Sequence, residues 1–140
     1  MKRAMPLIAL AAGATLAASS LACGVCIEDK VAATYDYSIV MTAIAKHHVV
    51  VFGQIEGAVD MQAAVAKIAA AAPHLRGVDR KTVRTSVSPA AFSFALDPAV
   101  QVPAAALAEM QKRLRMQGVK LSILRVVTSE SVPPAPKSSG

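Results

Sequence analysis

The 140-residue sequence contains no tryptophan, two tyrosines, three phenylalanines and two cysteines, and its nine acidic residues are outnumbered by fifteen lysines and arginines. So few aromatics leave little surface on which the bases of a single strand could stack. The cations do not make up for it, because they are spread singly or in pairs from Lys67 to Arg125 and read as solvated faces. No nucleic-acid partner is expected. Two cysteines are too few for a disulfide framework. Glycine-rich phosphate loops and nucleophile motifs are also missing, and Glu56, Asp60, Asp79, Asp97 and Glu109 stand apart without paired spacing, so no enzyme active site is expected. No period of about 20 to 50 residues recurs, which excludes a repeat array.

What is present begins with an export signal. Lys2 and Arg3 precede an uncharged stretch that runs to Ile27, with small residues at Ser20 and Ala22. That order fits a signal peptide over residues 1–22, with the mature chain starting at Cys23. The uncharged run is long enough for a retained membrane anchor at about 1.5 Å per residue. Its residues are mostly Ala, Gly and Ser, however, and its strongly apolar core from Leu7 to Leu16 is short, which favours cleavage. Cleavage removes Lys2 and Arg3 and no acid, taking the formal charge from +6 to +4, a balance that demands no anionic partner. About 118 residues remain, enough for one domain with a core, placed in the periplasm or at the outer membrane.

From Glu28 to Lys46 there is neither proline nor glycine, acids occupy the first turn, and Val31, Tyr35, Ser38, Ile39 and Thr42 recur at helical spacing. The spacing predicts one leading helix, which with the cysteines forms a segment over 23–45. Val49 to Phe52 has the β-branched density of a buried strand and leads to a loop from Gly53 to Asp60. A helix from Asp60, its N-cap, to Ala72 ends at Pro73. Lys81 to Val87 and Phe92 to Leu96 alternate as two half-buried strands of a hairpin. Pro103 to Gln117 makes a third helix with Gly118 at its end, Lys120 to Thr128 a last strand, and the proline-rich residues 129–140 a disordered tail.

The order after the leading helix is strand, helix, strand, strand, helix, strand. Right-handed crossovers with one apolar stripe per helix close this as an α+β, ferredoxin-like βαββαβ sandwich over 46–128, with Val51 or Phe52 facing the helices. In element order and in carrying a Cys-x-x-Cys pair, Cys23-Gly24-Val25-Cys26, the chain resembles the heavy-metal-associated domains of metallochaperones. That family holds its thiols in the loop after the first strand, whereas Gly53 to Asp60 here contains no cysteine and the pair stands upstream. The resemblance therefore implies a fold and soft-metal handling, and no family residue transfers to a position of this chain.

Cys23 and Cys26 are the candidate metal ligands. Two thiols at this spacing chelate one soft cation, Cu(I) foremost, or close a small disulfide. A helix start favours thiolate, whereas Glu28 and Asp29 oppose further negative charge, which argues against a thioredoxin-like attacking thiol and suits a bound cation. Three other fates compete: lipidation of Cys23 at a loose lipobox, which would tether the protein to a membrane; an inert disulfide; or loss of Cys23 by cleavage after Gly24. Adjacent His47 and His48 in a strand would point to opposite faces, and a straight leading helix of about 19 residues would hold them nearly 30 Å from the thiols. His74 is expected beside Arg76, Arg80 and Lys81 as a solvated basic edge. Met41, Met61, Met110 and Met116 offer thioethers, but Met61 and Met110 fall in apolar helical stripes and read as core. The sequence thus points to an exported non-enzymatic protein that binds or delivers a soft metal ion. Its rival is a periplasmic or lipid-anchored protein-interaction module in which the cysteines are an anchor or a disulfide.

Overall fold

The structure, a computed structural model, describes residues 26–132. The signal segment, Cys23 and residues 133–140 lie outside the described residues. The chain is α+β, with four α-helices and one four-stranded antiparallel sheet. In chain order the elements are α1 (Ile27–Thr34), α2 (Tyr37–Ala45), β1 (Val49–Glu56), α3 (Met61–Ala71), β2 (Arg84–Ser86), β3 (Ala91–Leu96), α4 (Pro103–Leu114) and β4 (Lys120–Val127). The strands lie side by side in the order β2-β3-β1-β4, so β1 and β3 are central and β4 is a long edge.

Helices α3 and α4 cover one face. Val65 and Ile68 of α3 and Ala106, Met110 and Leu114 of α4 are buried against Val51, Ile55, Phe92, Phe94 and Leu96 of the sheet. The Asp60 carboxylate accepts from Ala63 N at 3.0 Å and starts α3, and Pro103 occupies the first turn of α4. The Gln111 side chain then ties α4 to the final strand, donating to Val119 O at 2.7 Å and accepting from Leu121 N at 2.8 Å.

The opposite face is covered as well. Val31 of α1 and Val40 and Ala43 of α2 pack on Val50, Phe52 and Ala95. Alternating residues of β1 therefore enter two different cores, Val51 toward α3 and α4 and Phe52 toward α1 and α2. Every residue of β3 is buried, where alternation alone implies a half-buried strand, because helices seal both sides.

Five features depart from the sequence expectations, the first being that α4 ends at Leu114, with Arg115 in the left-handed region, and does not reach Gln117 and Gly118. The leading helix is two helices: Tyr35 and Asp36 are extended, and the Asp36 carboxylate accepts from Ser38 N at 3.0 Å and Ile39 N at 3.2 Å to start α2 afresh. Strand β1 does not end at Gly53 but runs to Glu56, paired with β3 as far as Gln54 and with β4 throughout that stretch. Arg80–Thr82 forms a 3-10 turn, which shortens β2 to three residues. Ser129–Ser131 forms another such turn, closed by a reciprocal pair of contacts between Thr128 and Ser131.

Candidate functional site

Helix α1 lies across the sheet, and its polar groups meet the strands in their spatial order. Glu28 pairs with Arg125 on β4, with Arg125 Nη1 donating to Oε2 at 3.1 Å and Nη2 to Oε1. Lys30 Nζ donates to Gln54 Oε1 on β1 at 2.6 Å, and Gln54 Nε2 in turn donates to Ser122 Oγ on β4 at 2.9 Å. Ser93 Oγ on β3 donates to the Thr34 carbonyl at 2.9 Å, where both residues are buried. Asp36, just beyond the helix, receives Arg84 of β2 at 3.4 Å. This strap fixes the start of α1 at the β4 edge.

Cys26 is the N-cap residue of α1 and is exposed, with no disulfide partner among the described residues. It immediately precedes Ile27, the first residue of α1, and the second, Glu28, is anchored to β4 by Arg125. The neighbouring carboxylates do not act alike. The side-chain hydrogen bond from Arg125, together with its charge, holds the Glu28 carboxyl below the ordinary glutamate range and raises the guanidinium in return. Asp29 has no ion-pair partner among the described residues. The local charge beside the thiol is thus one open carboxylate and one compensated pair, less negative than the two acids in sequence suggest.

The histidines are placed by the end of α2. His48 N donates to Ala43 O at 2.8 Å and His47 N to Ile44 O at 3.0 Å, the paired bonds of a Schellman ending, with His47 in the left-handed region at φ 58. They precede β1, which starts at Val49, so they are not adjacent strand residues. His48 Nε2 lies 3.8 Å from Asp97, and its Nδ1 is buried with no partner among the described residues. The break at Tyr35 and Asp36 also removes the straight-helix basis for a 30 Å separation from the thiols. Even so, no three His, Cys, Asp or Glu side chains group closely enough to hold a metal among the described residues.

His74 lines a groove with Lys67, Arg113 and Arg115, and its own 3-10 turn, Ala72–His74, lies beside the 3-10 turn that carries Arg80 and Lys81. Met110 is fully buried, Met61 and Met116 pack against the same core, and Met41 is exposed. A feature the sequence reading passed over is a groove of about 650 Å³ beside β4, lined by Tyr35, Tyr37, Val40, Arg125, Val126 and Val127 among others. Its tyrosines flank the cap that splits the leading helix, and that cap, Asp36 before a short polar and apolar alternation, was its only signal. No helix among the described residues is long and apolar enough to cross a membrane.

Comparison with protein-family models, curated proteins and solved structures finds no match.

Proposed function

We propose that this chain is an exported, non-enzymatic protein of the ferredoxin-like class that binds or delivers a soft metal ion, Cu(I) foremost, through Cys23 and Cys26. The strand order β2-β3-β1-β4, with α3 and α4 on one face, supports the fold assignment. The observation that carries the metal reading is the exposed Cys26 at the head of a helix strapped across the whole sheet. A chelating pair gains affinity when one ligand is held on a rigid element, because less freedom is lost on binding. Two thiolates satisfy two-coordinate Cu(I) without a third protein ligand, so the metal reading does not need a histidine beside the pair.

Competition for Cu(I) against a chromophoric chelator tests this on the reduced mature protein. One ion should bind per chain, Cys26→Ser and Cys23→Ser should each abolish binding, and His47→Ala should leave it unchanged. Equal affinity in the wild type and Cys26→Ser, or a lipid found on Cys23 by mass spectrometry of the mature chain, would overturn the proposal.

A second reading, a periplasmic or lipid-anchored protein-interaction module with the cysteines as anchor or disulfide, is favoured by the tyrosine groove, where Tyr37 is 67% exposed beside edge strand β4. Site-specific photo-crosslinking from position 37 in cells tests it. A single partner of reproducible mass whose adduct disappears in Arg125→Glu supports it, and the absence of any adduct rejects it.

A further inference from the structure

A second surface of the molecule has the make-up of an anion site. The outer side of the α3 and α4 layer carries an open groove of about 560 Å³, lined by Lys67, Ala70, Ala71, His74, Arg113, Leu114 and Arg115. The lining contains three permanent cations and a histidine and no carboxylate. Ala70 and Ala71 keep the floor low, so a ligand can approach the helix backbone while the longer side chains stand around it.

Two of the cations are unengaged. Lys67 and Arg115 have no ion-pair partner among the described residues. Arg113 is held in place by Glu109, donating from Nε at 3.1 Å and Nη2 at 2.7 Å, and this leaves Nη1 unused. Glu109 is the one acid at the margin. Gln101 donates to its other oxygen at 3.1 Å, and hydrogen bonds from Gln101 and Arg113, with the charges of Arg113 and Arg76, keep its carboxyl below the ordinary range. Its charge is therefore committed to orienting Arg113.

The backbone supplies an independent observation. Arg115 follows the last turn of α4 in the left-handed conformation, φ 47 and ψ 38, a place that glycine fills without strain. An arginine in this conformation is less stable there than glycine, as is His47 at the end of α2, so a gain from the glycine variant can be read separately from any loss of binding. That conformation puts a guanidinium on the groove, whereas Lys112, in the same last turn, is not part of the lining.

We propose that the groove formed by Lys67, His74, Arg113 and Arg115 binds a phosphate-bearing anion. Its guanidinium groups suit the forked geometry of phosphate oxygens. The source of that phosphate is either a soluble phosphorylated molecule or the headgroup of an anionic lipid, and the two are separable by experiment.

Calorimetric titration of the full mature protein with inorganic pyrophosphate at low ionic strength is one arm, and sedimentation with phosphatidylglycerol vesicles is the other. Saturable binding in either arm supports the site and names the source. Lys67→Glu should weaken that binding about tenfold, whereas Lys112→Glu, with the same change in net charge, should leave it nearly unchanged. Arg115→Gly should weaken binding by a similar factor while raising the melting temperature, since glycine relieves the left-handed strain; this separates loss of the site from loss of the fold. No saturable binding in either arm, or equal weakening by Lys112→Glu and Lys67→Glu, would overturn the proposal.

Discussion

Glu28 on the first turn of α1 and Arg125 on edge strand β4 form a two-pronged ion pair across 97 residues of sequence. It is the outermost rung of the strap, and the one nearest Cys26. Because the pair is exposed, its value lies in where it holds the helix more than in the stability it adds. Its pH dependence follows from the lowered Glu28 carboxyl. In the unfolded chain the glutamate takes up its proton near its ordinary value of 4.5, whereas in the folded chain it does so at lower pH. The contribution is therefore complete above the unfolded value and is lost as pH falls through the folded one. Urea midpoints of the wild type and Arg125→Ala should differ by a constant amount from about pH 7 to about pH 5, and the difference should close in more acid solution. A separation that widened on acidification would show that the pair is not formed.

Phe52 tests the second layer. It is 1% exposed and its ring stacks 6.2 Å from Tyr35, but its core consists of α1 and α2, outside the strand and helix order of the sandwich. If those helices are integral to the fold, Phe52→Ala costs as much as Phe94→Ala on the other face, about 3 to 5 kcal/mol each by chemical denaturation. A Phe52→Ala cost under about 1 kcal/mol would mean that the α1 and α2 layer is loosely held.

His47 ends α2 in a conformation that favours glycine. The two backbone bonds that close the ending come from the amides of His47 and His48, so glycine keeps them. His47→Gly should raise stability by about 1 kcal/mol, and His47→Ala, which keeps a Cβ, should give no such gain. A melting temperature lowered by His47→Gly would point to a role for the imidazole that the geometry does not show.

Features governed by local chemistry were legible in the sequence. Asp60 and Pro103 announce the starts of α3 and α4, and the apolar spacing of each helix finds its buried face. The departures have two sources: local caps and turns that override a periodic pattern, as at Asp36, His47 and Arg80–Thr82, and contacts between distant segments. Uninterrupted helical spacing hid the break at Tyr35 and Asp36, because it is made by a cap and by Arg84, which is 48 residues away. Phe92, Phe94 and Leu96 reveal one buried face of β3, but Ser93 and Ala95 are buried only because α1 and α2 fold back onto the sheet, which no period in β3 encodes. Of the candidate site, Cys26 at a helix start was legible, whereas the strap that positions it joins α1 to β4, β1 and β3, and Asp36 beyond it to β2, and so depends on the completed sheet order.

Gly53 shows most directly how a local signal can mislead. Read alone, a glycine after four bulky apolar residues ends a strand, yet Gly53 sits inside β1 opposite Phe92 of β3. A Cβ there would lie 2.6 and 2.7 Å from Phe92 Cε2 and Cε1 and closer still to Cζ, so the glycine is present to let the ring lie across the strand. Phe92 is fully buried, stacked 6.1 Å from Phe94, and has no free volume into which to withdraw. Gly53→Ala should therefore destabilise the protein by about 1 to 3 kcal/mol, despite replacing glycine with a residue no worse suited to a strand. Phe92→Leu alone should also be destabilising, since it leaves part of a packed site empty. The double variant should recover part of the loss, with an interaction of about 1 kcal/mol or more in a double-mutant cycle, because the smaller side chain makes room for the new methyl. Strict additivity of the two single effects would show that the close approach of Phe92 does not decide the residue at position 53, and that only the backbone freedom of Gly53 matters there.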